Sequence, residues 1–325
     1  MRRLINERSL DVIHCRVHVP AVMGALGRML SRRNPKLLFD IRGFFPEEYT
    51  DAGVWKADGR LYKTAKVIER WLLRTSDGFV VLTEKARDIL FRESRDTGYD
   101  DLHRPVEVIP CCVDVSRFSG REEEAADIRD RIGAGERLII VYVGALGGWY
   151  LDEDMVRLFA EARAVDQRVF IMILTKKDHD AVRDRLRRAG FCDGDFYVTA
   201  VPPTELPAYL EASDIGVSLI KSCYSKQSSS PTKIAEYLAA GLAVISNKGV
   251  GDVDATISNE GVGVLLDDLS PEAMLNGARK AFEIVGKRGI RRKLAASCFD
   301  LENVGGQRYR RLYQRLLKAK NEVRP

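Results

Sequence analysis

Short apolar runs alternate with amphipathic stretches along the first third of the chain. Runs at 11–15, 37–41, 78–82 and 106–109 are too short for helices and predict buried strands. Between them, apolar residues recur at helical spacing over 19–32, about 61–74 and 84–92. Strands that alternate with helices in this way predict a parallel sheet with helices on both faces.

The same alternation resumes after a charged, helix-prone stretch at 121–135 that is typical of a linker helix. Strands are predicted at 138–143, 169–174, 196–201, 214–220, 242–245 and 261–266. Helical patterns lie at 151–163, 180–189, 205–212, 231–240 and 271–285. The chain is therefore predicted to contain a second α/β unit with its own parallel sheet.

Length, net charge and cysteine content limit which kinds of protein this chain can be. A length of 325 residues favours two domains, and a net charge of +5 suits anionic ligands or an anionic membrane surface without indicating nucleic acid. The sequence contains no apolar run of the ~20 residues that a membrane span needs, and its N-terminus lacks the apolar core of a signal peptide. Six cysteines without a Cys-x-x-Cys pair and four scattered histidines predict reduced thiols, a cytosolic protein and no metal site.

The stretch 229–246 carries the clearest candidate chemistry. Ser230 is suited to cap a helix, Pro231 to begin it and Gly241 to end it. The amides and dipole of a helix start attract anions, and Lys226 and Lys233 add positive charge there. A carboxylate almost two turns into the helix, at position 236, can accept hydrogen bonds from paired sugar hydroxyls. A bound nucleotide sugar fits this pattern, and a well-capped helix with a solvated glutamate and surface lysines is the alternative.

Residues 228–241 and 244–254 resemble the donor-site segment of glycosyltransferase family 4, whose members have the two-domain GT-B fold. The family signature is a Glu, seven residues and a second Glu. Glu236 occupies the second position, which assigns it the ribose contact and a place in catalysis with Lys226, whereas Ser228 occupies the first. The resemblance also implies that the donor phosphates meet the turn residues Ser230, Pro231, Thr232 and Lys233.

Further segments resemble the family or add candidate residues. Gly144 follows the first strand of the second unit, where it would meet the diphosphate, although the Arg and Lys that many members carry there are absent. Lys176 follows the next strand, and Val201 lies where the family holds the base through backbone groups. Arg42, in the loop 40–48, stands near the place of a family histidine and is expected to face the acceptor. Residues 108–118 resemble the segment that joins the two domains.

The resemblance predicts an α/β protein with two Rossmann-like parallel-sheet domains, of which the first is incomplete. The predicted bounds are 1–117 for the acceptor-side domain, 118–300 for the nucleotide-sugar-binding domain and 301–325 for a C-terminal helix. Only four strands are predicted in the first domain, where about seven are expected. A late start site, a partner chain and a degenerate relative would each explain this. The basic final helix is expected to pack on the first domain or, alternatively, to lie on anionic lipid.

Two functions follow from these residues. The first is a retaining, metal-independent transfer of sugar from a nucleotide diphosphate sugar to a glycan or lipid-linked acceptor, with no cofactor besides the donor, in polysaccharide biosynthesis of the cell envelope. The second is a nucleotide-binding subunit without turnover that needs a partner chain. A nucleotide-sugar epimerase is a third, weaker alternative. The predicted location is the cytoplasm, with peripheral association at the inner face of the membrane as an option.

Overall fold

The computed structural model describes residues 1–321 and divides the chain into two compact units. Unit 1 comprises residues 1–110, 223–230 and the chain from 304, and unit 2 comprises residues 111–222 and 231–303. Each unit contains one parallel β-sheet, of four strands in unit 1 and six in unit 2. The predicted α/β architecture with two parallel-sheet domains is confirmed. The domain bounds 1–117, 118–300 and 301–325 stay a prediction.

Unit 1 is built on a sheet with the strand order β1-β2-β3-β4, in which every pair is parallel. The strands are β1 (Val12–Arg16), β2 (Lys36–Ile41), β3 (Gly78–Val81) and β4 (Val106–Val108). The helices are α1 (Arg2–Glu7), α2 (His18–Met29), α3 (Phe45–Asp51), α4 (Arg60–Thr75), α5 (Glu84–Leu90), α6 (Ser94–Thr97) and the last helix of the chain, α15 (Gln307–Asn321). All four strands lie at the predicted apolar runs.

The last helix packs against the sheet of unit 1. Leu312 and Leu316 are fully buried there in one apolar cluster with Leu38, Val80 and Ile109. The hydroxyl of Tyr309 donates to a carboxylate oxygen of Asp40 at 3.0 Å. The apolar stripe of α15 is thus occupied by contacts within unit 1, so a lipid surface would have to meet other residues. Among residues 1–321, no helix combines the length and the apolar character that a membrane crossing needs.

Unit 2 has a six-stranded sheet with the order β10-β9-β8-β5-β6-β7. The strands are β5 (Leu138–Val143), β6 (Val169–Leu174), β7 (Phe196–Thr199), β8 (Ile215–Ser218), β9 (Ala243–Asn247) and β10 (Gly263–Leu266). The helices are α7 (Glu122–Arg131), α8 (Asp152–Val165), α9 (His179–Arg188), α10 (Leu206–Glu211), α11 (Thr232–Ala240), α12 (Val253–Ile257), α13 (Pro271–Ile284) and α14 (Arg288–Cys298).

The strand order of unit 2 reverses beside its first strand. β5 pairs with β6 on one side and with β8 on the other, so the chain builds the sheet outward from β5 in two directions. Helices on the two sides of such a reversal diverge, and a crevice opens beyond the carboxyl ends of the strands. The segment after β5 and the start of α11 are therefore the places in unit 2 where a ligand site is expected.

Candidate functional site

Helix α11 begins close to the predicted residue. It starts at Thr232 with Pro231 in the capping position. The predictions that Ser230 caps the helix and that Pro231 is its first residue are therefore each wrong by one residue. Gly241 ends the helix in the left-handed conformation with φ 82°, as predicted. The first N–H groups of a helix have no partner within the helix, and its dipole adds positive potential at that end. The start of α11 therefore has the properties of an anion-binding end.

Tyr237 fixes α11 to the sheet of unit 2. Its side chain is fully buried, and its hydroxyl accepts the N–H of Val143 at 3.0 Å and donates to the carbonyl of Val217 at 3.2 Å. The ring fills the space beside Gly216, where an added Cβ would lie 2.4 Å from a ring carbon. These contacts hold α11 at the ends of β5 and β8, where the strand order reverses.

Lys233 is buried in unit 2 in an unusual way. Only 7% of the residue is exposed, and its Nζ makes no hydrogen bond within the described part of the chain. The ammonium instead lies over two aromatic rings, 4.1 Å from the ring centre of Tyr142 and 3.9 Å from that of Tyr150. Burial lowers the pKa of Lys233 to about 7, although the negative charge of Glu236 opposes this shift. The site thus holds a buried amine, charged below about pH 7, without an anionic partner in contact among the described residues.

Gly144 makes room beside this lysine. Its backbone has φ 131°, a conformation that side chains other than glycine rarely adopt. A Cβ added at this position would lie 3.4 Å from Nζ of Lys233. The glycine therefore keeps the space beside the amine open, and its contact with a diphosphate stays a prediction.

Glu236 lies three residues further along α11 and is half-buried. Burial raises the pKa of its carboxyl, and the positive charges of Arg117 and Lys233 act in the opposite direction. Arg117 donates a hydrogen bond to the carbonyl of Pro203. Arg117 lies within the segment 108–118 that resembles the family, but no sequence motif marked it as a site residue. Glu236 and these two cations form the charged part of the candidate site.

A cavity of about 510 Å³ opens beside Glu236 in unit 2. Four residues predicted to bind the donor line it, namely Gly144, Lys176, Val201 and Glu236. Most of its remaining wall is apolar and includes Leu146, Leu174, Pro203 and Leu206. Its volume lies in the range of small-molecule sites, and a concave apolar pocket with a few converging polar groups is the usual form of such a site.

The structure places four other predicted residues in unit 1 instead, namely Arg42, Lys226, Ser228 and Ser230. Lys226 and Ser228 belong to a 3₁₀ turn at Tyr224–Ser228, in which both are buried. Nζ of Lys226 lies 3.5 Å from Oε1 of Glu48. Nη1 of Arg42 lies 3.6 Å from Oδ1 of Asp40, close to the polar loop that follows β2. The donor and acceptor roles of these residues stay predictions.

Ser228 is held by backbone contacts within unit 1. Its hydroxyl accepts the N–H of Phe44 at 3.0 Å and donates to the carbonyl of Ser225 at 2.7 Å. Such a polar run is typical of a solvated loop, but Ser225, Lys226 and Ser228 are buried, and the Ser228 hydroxyl binds backbone groups just before α3 and within the turn. Polar composition alone did not show that these partners exist.

Comparison with known proteins adds independent information. Residues 1–117 match the family model described as Glycosyltransferase Family 4. A 2-deoxystreptamine glucosyltransferase from Streptomyces kanamyceticus is 26% identical over 196 residues, which cover 58% of this chain and 47% of that protein. The chain therefore matches about half the length of this curated relative.

Solved structures with the same fold are numerous. The Anabaena protein HepE, crystallised with UDP, aligns with a TM-score of 0.73 and 13% identity over 96% of this chain and 80% of its own. A glycosyltransferase from Rickettsia africae aligns with a TM-score of 0.72 and 16% identity over 98% and 79% of the two chains. At these identities the likeness establishes the fold. Residues 1–117 are thus similar to glycosyltransferase family 4, and the chain shares the two-domain fold of these solved glycosyltransferase structures.

Proposed function

We propose that this chain is a retaining glycosyltransferase that uses a nucleotide diphosphate sugar as donor. The observation that carries the proposal is the buried amine of Lys233 at the start of α11, whose charged form has no anionic partner in contact among the described residues and which lies near Glu236 and the 510 Å³ cavity. A buried charge is costly unless a partner compensates it, so such an arrangement favours an anionic ligand. A diphosphate supplies this charge and also the oxygens that helix amides bind.

Each part of the donor has a matching part of the site. The diphosphate would lie between the start of α11, Gly144 and Lys233, and Glu236 would accept hydrogen bonds from the ribose hydroxyls. The base would lie against the apolar wall of the cavity, with backbone groups near Val201 as its polar partners. All the residues given a role in donor binding here belong to unit 2.

Catalysis would depend on the leaving group. As the bond to the sugar breaks, negative charge grows on the diphosphate, and a fixed ammonium and helix amides in a water-poor site stabilise that charge. The acceptor hydroxyl would attack on the face that the diphosphate leaves, so the anomeric configuration is retained. No step in this scheme requires a metal ion. Arg42 in unit 1 would act on the acceptor side.

The comparisons suggest which donor to test first. HepE was crystallised with UDP and with UDP-glucose, and the curated relative is named a glucosyltransferase. A UDP-hexose is therefore our first choice of donor, and a glycan or a lipid-linked sugar our choice of acceptor class. Work in polysaccharide biosynthesis of the cell envelope, in the cytoplasm or at the inner face of the membrane, belongs to the same proposal.

One observation favours a second candidate function, a nucleotide-binding subunit without turnover. Ser228 stands where the family signature has its first Glu, and its hydroxyl is engaged by the backbone of unit 1. A carboxylate contact with the donor sugar would then be lost, while the diphosphate and ribose contacts would remain. Both candidates predict nucleotide binding, and only the first predicts sugar transfer.

Titration calorimetry with UDP, ADP and GDP tests the proposal on wild type and Glu236→Ala. We expect micromolar binding of one nucleotide, weakened in Glu236→Ala by at least about 1.5 kcal/mol, because hydrogen bonds to a charged group are lost. That loss corresponds to slightly more than tenfold in Kd. Glu136→Ala, which removes an exposed carboxylate from the same unit, is the matched control and should bind like wild type.

Each result decides between the candidates. If no nucleotide binds wild type, the proposal is wrong. Equal affinities of wild type and Glu236→Ala would remove Glu236 from the site. Binding of UDP-glucose without release of UDP, across glycan and lipid-linked acceptors, would favour the subunit without turnover.

A further inference from the structure

The two tyrosine rings around Lys233 are not explained by the family pattern described above. Tyr142 lies near the end of β5, and Tyr150 lies in the segment between β5 and α8. Their ring centres are 6.1 Å apart, with the ring planes inclined by 77°, and Nζ of Lys233 is about 4 Å from each. Ring faces attract a cation electrostatically, and aromatic cages of this form bind ammonium groups in other proteins.

The tyrosine hydroxyls do not neutralise the lysine. The hydroxyl of Tyr142 donates to the carbonyl of Ala145 at 2.5 Å, which leaves its ring face towards the ammonium. Burial raises the pKa of both tyrosines, so both are neutral at physiological pH. The rings can therefore orient the ammonium without removing its need for a negative charge.

The charged groups around this cage come from three elements. The negative charge of Glu236 on α11 favours the charged form of Lys233. The positive charge of Arg117 in turn favours the charged form of Glu236. The negative charge of Asp152, at the start of α8, contributes to the raised pKa of Tyr142. Against these, burial dominates and brings the pKa of Lys233 to about 7. Near neutral pH the empty site would thus hold the lysine partly as the neutral amine.

We propose that Tyr142 and Tyr150 are positioning residues that hold the amine of Lys233 between their ring faces for the donor diphosphate, and that donor binding is coupled to proton uptake at this amine. The proton comes from solvent and converts the neutral amine to the ammonium as the diphosphate arrives. This inference rests on the proposed function, because it takes the donor diphosphate as the anion that pairs with Lys233.

The direction of the pH effect follows from the two states of the site. A negative charge in contact with an ammonium favours the charged form, so the pKa of Lys233 is higher in the donor complex than in the empty site. Below pH 7 both states carry the proton, so titration of Lys233 does not make donor affinity depend on pH there. As pH rises above 7, only the complex keeps the proton, so affinity falls by up to tenfold per pH unit until the pKa of the complex is reached.

Lysine-selective carbon-13 labelling makes the amine directly observable by NMR. The Cε signal of Lys233, identified by its absence from Lys233→Met, is followed from pH 5.5 to 10.5 with and without UDP-glucose, whose phosphates do not titrate in this range. We expect a midpoint near pH 7 in the empty protein and a rise of one unit or more with UDP-glucose. Calorimetry at pH 7 in buffers of different ionisation enthalpy should show uptake of roughly half a proton.

Two variants of Tyr150 separate positioning from packing. Tyr150→Phe keeps the ring and should leave the midpoint of Lys233 within about 0.3 units of wild type. Tyr150→Leu keeps apolar bulk but removes the ring, and should lower the midpoint by about 0.5–1 unit, because the cation–π contact is lost. A purely structural role of Tyr150 would not separate these two variants.

The possible results are distinguishable. A midpoint of Lys233 above pH 9 in the empty protein, or equal midpoints in Tyr150→Phe and Tyr150→Leu, would overturn the inference. Binding of UDP-glucose without a change in midpoint would overturn it and leave the proposed function intact. If neither UDP-glucose nor ADP-glucose nor GDP-mannose binds wild type, the proposed function is wrong and the coupling is wrong with it.

Discussion

Arg291→Met is expected to lower the free energy of unfolding by about 3–5 kcal/mol, a large part of the stability of an ordinary domain. Arg291 is fully buried in unit 2 and donates to four backbone carbonyls. Its acceptors, at 2.5–2.9 Å, are the carbonyls of Gly241, Gly261, Ile284 and Val285. These carbonyls lie at the ends of α11 and α13 and before β10, and methionine would leave them without a donor.

Urea unfolding followed by circular dichroism measures this effect. Lys293→Met is the matched control, because it removes a positive charge from the same helix at an exposed position, and surface changes of this kind stay within about 0.5 kcal/mol. A loss of less than 1 kcal/mol in Arg291→Met would mean that water replaces the guanidinium, and that Arg291 does not connect these three segments.

Arg291 also shows what the sequence could not predict. The run 288–293 contains four basic residues and is typical of an exposed helix face. The position of Arg291 four residues before the buried Ala295, and eight before Phe299, was the available signal that this side faces inward. The pattern could not show that the carbonyls of Gly241 and Gly261, 50 and 30 residues away, would meet there with those of Ile284 and Val285, since their arrangement depends on the folded sheet.

The strands, in contrast, were predictable from local pattern. All ten lie on the predicted apolar runs, because parallel strands covered on both faces need apolar side chains in both directions. The ends of α11 were placed within one residue by Pro231 and Gly241, whose backbone restrictions act locally. Such elements are specified by neighbouring residues, which is why one sequence suffices for them.

Local sequence indicated candidate residues on α11, and Gly144, Lys176 and Val201 from other segments line the same cavity as Glu236. Lys233 and Glu236 share α11, and their spacing suggested a phosphate and a ribose contact. Tyr142 and Tyr150 were part of apolar or glycine-rich stretches and gave no sign of a cage, because their rings meet the lysine through tertiary packing. The burial of Ser228 could not be predicted for the same reason, since Phe44, whose N–H it accepts, lies about 180 residues away in sequence.

Lys233→Met is expected to lower kcat/KM for sugar transfer by about 10²–10³, or roughly 3–4 kcal/mol of transition-state stabilisation. The physical reason is that the ammonium faces charge that grows on the leaving diphosphate, in a buried site where water does not screen it. Methionine keeps a similar length and fills the space between the two rings but carries no charge. Steady-state release of UDP from UDP-glucose, with an acceptor found by screening, provides the measurement.

The same variant is expected to be at least as stable as wild type. Wild type bears the cost of a buried ammonium in full below about pH 7, and the cost disappears as pH rises towards 10.5, the ordinary pKa of lysine. The stability advantage of Lys233→Met should therefore be largest at or below neutral pH and should shrink between pH 7 and 10.5. Lys248→Met, which removes an exposed, ion-paired lysine of unit 2, should change neither activity nor stability appreciably.

This opposite response of activity and stability separates a ligand-binding lysine from a structural one. Replacing a lysine that stabilises the fold would lower both activity and stability. Replacing a buried lysine whose anionic partner is the ligand lowers activity but leaves the empty protein at least as stable. A Lys233→Met protein that lost stability, or that transferred sugar at the wild-type rate, would contradict the assignment of this amine to the donor diphosphate. Because the two measurements depend on different states of the protein, lower activity together with unchanged or higher stability could not be produced by misfolding.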